Sequence, residues 1–66
     1  MAIAKVIEIT AQSDKGFDDA LRDGIAQAGK TVHNIRGAWI KDQQVSIENG
    51  KITSYRLDLK VTFVVD

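Results

Sequence analysis

The chain has 66 residues with no cysteine, no proline and one histidine, and its nine basic side chains balance nine acidic ones. A domain this short buries only about 60% of the surface its unfolded chain exposes; without cysteine it has neither a disulfide nor a thiolate zinc site, and one His cannot build an imidazole cluster, so oligomerisation is the remaining aid to stability. The balanced charge lacks the footprint of a nucleic-acid binder, and no apolar stretch approaches the roughly 20 residues that span a bilayer.

Lys5 and Glu8 interrupt the N-terminal apolar run, so it does not read as a secretory leader, and the absence of cysteine suits a reducing compartment. The expectation is one soluble, cytoplasmic domain over residues 1–66, with no linker, repeat or low-complexity segment.

Residues 3–11, IAKVIEITA, are rich in β-branched side chains, with Ile7 and Ile9 on one face and Glu8 and Thr10 on the other. That period of two predicts a strand. After the turn formers QSDKG, the residues Phe17, Ala20, Leu21, Gly24, Ala28, Val32 and Ile35 recur at spacings of three and four, which predicts an amphipathic helix of about four or five turns. Asp18 and Asp19 fall in its first turn and Lys30 and His33 near its end, each sign complementing the helix dipole. Gly16 and Ser13 are competing N-caps. Gly24 and Gly29 fall inside this helix, where each costs roughly 1 kcal/mol relative to Ala; either they permit close approach to a sheet or a neighbouring subunit, or packing tolerates them.

From Arg36 the period returns to two, and Asn49-Gly50 joins two strands through the strongest short hairpin signal. The last strand places Tyr55, Leu57, Leu59, Val61, Phe63 and Val65 on one face, and Arg56, Asp58, Lys60 and Thr62 on the other. In the strand before it, Trp39, Val45 and Ile47 share one parity while Ala38 and Ile40 share the other, which predicts a bend or bulge in the middle. The element order is β-α-β-β. The expected class is α+β, a three-stranded antiparallel sheet wrapped around one helix, with long edges that invite another chain.

For catalysis the sequence offers little. It has no glycine-rich phosphate loop, His33 reads as surface or a helix-end cap, and Ser13 and Ser46 lack an identifiable triad partner. Asp14, Asp18, Asp19 and Asp23 cluster near the helix start, and Asp42, Glu48, Asp58 and Asp66 follow in the hairpin and tail. They lack EF-hand spacing and read first as solvated charges, although a symmetric assembly can gather one carboxylate per subunit into a ring that holds Ca²⁺ or Mg²⁺. Trp39 and Tyr55 remain. An aromatic face can stack a flat heterocycle or anchor a subunit contact.

The opening KVIEIT, the helix start FDDA, the stretch AGKTVHNIRG, the hairpin IENGKITSYRLDLKVTF and the acidic end together resemble the dodecin family over essentially the whole length. The resemblance implies a hollow homododecamer that stores or sequesters a flavin, riboflavin or FMN, rather than an enzyme. In flavin-binding dodecins a Trp at the start of strand two stacks on the isoalloxazine ring and a Gln in strand three bonds its polar edge. Those places fall here on Gly37 and Arg56. Gly37 offers no aromatic face, and Arg56 supplies donors only, where an amide supplies a donor and an acceptor.

Trp39 lies two residues on, which on a regular strand returns it to the same face roughly 7 Å away. The resemblance therefore implies either a shifted flavin platform on Trp39, with Arg56 on the ring carbonyls or the FMN phosphate, or a member without the standard platform, such as the calcium dodecins, in which Trp39 packs between subunits. These departures imply flavin affinity that is reduced or lost. Asp42 matches a strand-two acid of several members and is the expected metal ligand. The leading expectation is a non-enzymatic small-ligand storage shell, followed by a calcium-binding or purely structural dodecin; catalysis comes third.

Overall fold

The computed structural model describes residues 3–65. Four elements follow in chain order: strand β1 (Ile3–Ser13), helix α1 (Phe17–Ala28), strand β2 (Ile35–Glu48) and strand β3 (Lys51–Val65). They form one antiparallel sheet in the order β1-β3-β2. The α+β class and the β-α-β-β order expected from the sequence are both present.

The alternation in β3 sets the core. Leu57, Leu59 and Val61 are fully buried beneath α1, joined by Ala11 from β1 and Ala20 from the helix. Ile7, Ile9, Phe17, Leu21, Ile25 and Ile35 pack around them. Register explains the match: Ile7 faces Val61, Ile9 faces Leu59 and Ala11 faces Leu57, so the inward residues of adjacent strands coincide.

β1 runs two residues beyond its predicted end, because Gln12 and Ser13 still pair with Arg56 and Tyr55. Ser13 then ties the strand to the helix: its hydroxyl donates to Asp19 at 2.7 Å and accepts the Lys15 amide at 2.9 Å. Gly16 is the N-cap, in an extended conformation and without a side-chain cap.

The helix is shorter than its periodicity predicts, at twelve residues, and its last turn contains no basic side chain. Gly29 is its C-cap rather than an interior residue. Beyond it the amides of Lys30, Thr31 and Val32 bond back to Gln27 and Ala28, and Asn34 at φ 63° turns the chain away. Val32 and Ile35 therefore continue the apolar spacing without continuing the helix; Ile35 opens β2, opposite Phe63. Lys30 and His33 lie past the helix end.

Gly24 does make a close approach. A Cβ there would lie 2.8 Å from the Cβ of Ala11, so the missing side chain lets α1 sit down on β1. At the hairpin tip, Asn49 and Gly50 take φ 52° and 76° between the paired Glu48 and Lys51, the left-handed pair that a two-residue turn requires.

The irregularity expected in β2 is present, as an extra residue between Ile35 and Gly37 and another between Ile40 and Asp42; a third break in register, at Ser46 and Ile47, places the extra residue, Thr53, on β3. The helix packs over β1 and β3 and stops short of β2. An open apolar hollow of about 390 Å³ remains between Leu21 and Ile25 on the helix and Ile35, Ala38 and Ile40 on β2.

Candidate functional site

The sheet face turned away from α1 carries Gly37, Trp39, Asp42 and Arg56. The reason is the β2–β3 register, in which Gly37 faces Thr62, Trp39 faces Lys60, Asp42 faces Asp58 and Gln44 faces Arg56. The β3 members of these rows are its outward, even-numbered residues. Simple alternation would put Asp42 on the face opposite Trp39, but the extra residue Lys41 shifts the phase, as a bulge does. Gly37, Trp39, Asp42 and Arg56 thus share one surface.

Trp39 is 66% exposed, far more than a core tryptophan. The ammonium of Lys60 lies 5.4 Å from its ring centroid, within cation–π range. Gly37 precedes it on the same face, and a Cβ there would meet nothing within 4 Å. The flank of the ring is open. Tyr55, the other aromatic candidate, belongs elsewhere: it points to the helix side and meets the Phe17 ring edge-on at 5.2 Å.

On the next row, Asp42 and Asp58 oppose each other, and Thr10 on β1 donates its hydroxyl to Asp58 at 3.1 Å. Like charges directly opposite across a ladder repel. Among the described residues no three His, Asp or Glu side chains converge as a metal cluster, so this pair with the Thr10 hydroxyl is what one subunit offers a cation. Calcium takes six to eight oxygens, and the rest must come from water or from other subunits. Asp66 lies outside the described residues.

Arg56 sits two rows from Trp39, roughly 13 Å along the strand at about 3.4 Å per residue. Its Nη2 donates to Gln12 Oε1 on β1 at 3.4 Å, and Gln44 flanks it on β2. Amide side chains therefore stand on both sides of Arg56 and supply the acceptors that guanidinium lacks. Trp39 presents an exposed ring on this face, whereas Gly37 has no ring to stack.

Sequence reading missed the partners. Lys60, Gln12 and Gln44 are ordinary polar strand positions, and only their register against Trp39 and Arg56 gives them a role. The outward parity of β3 did expose Lys60; what it lacked was the strand opposite. His33 lines an open surface hollow with Asn34 and Phe63, away from the outer face. Ser13 is engaged with Asp19 and Lys15, so neither assembles a catalytic pair.

The family model for dodecin matches residues 3–66. The calcium dodecin of Mycobacterium tuberculosis is 34% identical over 64 residues, covering 96% of this chain and 89% of that protein. A crystal structure of that calcium-chelating protein, described as having a novel calcium-binding site, superposes with a TM-score of 0.82 at 31% identity, covering 97% of this chain and 91% of that one. The dodecin of Streptomyces davaonensis gives a TM-score of 0.92 at 29% identity, with coverage of 98% and 96%.

Proposed function

The chain belongs to the dodecin family, and from that premise we propose that it is a non-enzymatic storage protein, assembled as a hollow homododecamer, that holds a flavin weakly on the outer sheet face. The observation that carries this reading is the exposure of Trp39 beside open Gly37, on the face that also bears Arg56. Trp39 supplies the stacking surface. Arg56 supplies donors for the ring carbonyls or the phosphate of FMN, and Gln12 and Gln44 supply amide acceptors. The expected affinity is low, because the resemblance to flavin-binding dodecins implies a stacking ring where this chain has Gly37.

Titration with riboflavin and FMN tests it. Stacking quenches flavin fluorescence; unchanged emission at about 100 μM protein, where a complex with Kd in the micromolar range would be largely formed, removes the flavin reading.

A second reading is calcium binding, favoured by Asp42 opposite Asp58 with the Thr10 hydroxyl beside them and by the likeness to a calcium dodecin. In that reading each subunit gives a partial oxygen set, and symmetry completes it.

A further inference from the structure

The face that carries Trp39 also carries a cation that no carboxylate engages. Lys60 stands opposite Trp39 on β2 and opposite Glu8 on β1. Glu8 is already paired with Lys41 at 3.5 Å, the one ion pair among the described residues. The short-range partner of the Lys60 ammonium is the Trp39 ring, 5.4 Å from its centroid. Two rows away Arg56 donates to the neutral amide of Gln12. Asp42 and Asp58 lie on the row between, and neither forms an ion pair with either cation.

We propose that Lys60 selects the ligand of the Trp39 platform, admitting a flat aromatic that bears its own anionic group and disfavouring a neutral one; this rests on Trp39 being the platform. A neutral ring laid on the face that Lys60 covers must displace the ammonium and forfeit the cation–π attraction. A ligand with a phosphate or carboxylate arm gives the displaced ammonium a charge-assisted partner instead. Lysine suits the role because its charge is compact and its four-carbon stem swings without moving the backbone. Between two flavins with the same ring, the site prefers FMN to riboflavin.

The test is a pair of titrations, FMN and riboflavin, with wild type, Lys60→Met and Trp39→Ala, read by flavin emission and by the emission of the only tryptophan. Met keeps an apolar stem against the ring and removes the charge. Wild type is expected to bind FMN about fivefold more tightly than riboflavin, the scale of one exposed charge pair. Lys60→Met is expected to lower that ratio, tightening riboflavin and weakening FMN. A wild-type ratio near one, or a ratio that Lys60→Met leaves unchanged, overturns the role of Lys60 while the platform stands. Undiminished binding of both flavins by Trp39→Ala, or binding of neither by wild type, overturns the platform and with it the selection.

Discussion

Asp42 and Asp58 face each other directly across the β2–β3 ladder, with the Thr10 hydroxyl bonded to one of them. Like charges directly opposite each other destabilise a sheet, so Asp42→Asn is expected to raise the Tm slightly in a chelator. Calcium is expected to raise the Tm of wild type and to leave Asp42→Asn unmoved. Equal shifts in both proteins, or none in either, would remove the calcium reading from this pair.

Gly24→Ala is expected to destabilise despite the better helix propensity of Ala. The added Cβ would sit 2.8 Å from the Ala11 Cβ, and such overpacking costs about 1–3 kcal/mol, more than the roughly 1 kcal/mol gained in propensity. Gly29→Ala is the control. Its backbone is right-handed helical and its nearest neighbours are carbonyls of its own helix, so urea unfolding should place it within about 0.5 kcal/mol of wild type.

Gly50→Ala places a Cβ on a residue at φ 76°, which costs roughly 1–2 kcal/mol. Asn49→Asp keeps a residue that tolerates positive φ and supports the same turn, so it should unfold near wild type. If both variants unfold alike, the turn conformation is not what holds the hairpin.

The inward side of β2 lacks a cover within one subunit: Ile40 is 44% exposed and Ile47 62%. Light scattering is expected to find the mass of a homododecamer of 7.3 kDa subunits, and Ile40→Lys, beside the open hollow, is expected to lower it by placing a charge in a contact region. A wild-type monomer would contradict the assembly.

Trp39→Ala and Leu59→Ala should separate binding from folding. Leu59 is completely buried, and its truncation is expected to cost about 2–5 kcal/mol. Trp39, largely exposed, should cost little stability in the isolated fold while abolishing flavin quenching. A large stability loss for Trp39→Ala, with the assembly dispersed, identifies it as a subunit anchor.

The elements were legible because each leaves a local trace. β3 alternates over its whole length, Asn49-Gly50 marks the hairpin, and Ile7 and Ile9 declare the inner face of β1. The end of α1 was not legible. Val32 and Ile35 extend the three-and-four spacing by coincidence, and the chain leaves the helix through Gly29 and the left-handed Asn34, a backbone choice that apolar periodicity does not register. For Gly24 the sequence left open close approach to a sheet or mere tolerance, and Ala11 beneath it decides for close approach.

By itself the sequence determined the α+β class, the β-α-β-β order and the buried face of β3, because all of these follow from residue identity and spacing along the chain. Only the tertiary structure decided that Asp42 and Arg56 share the surface of Gly37 and Trp39, that Asp58 opposes Asp42 and that Lys60 covers the Trp39 ring. Strand register is a relation between distant segments, and the single extra residue Lys41 inverts the parity that the sequence alone would assign.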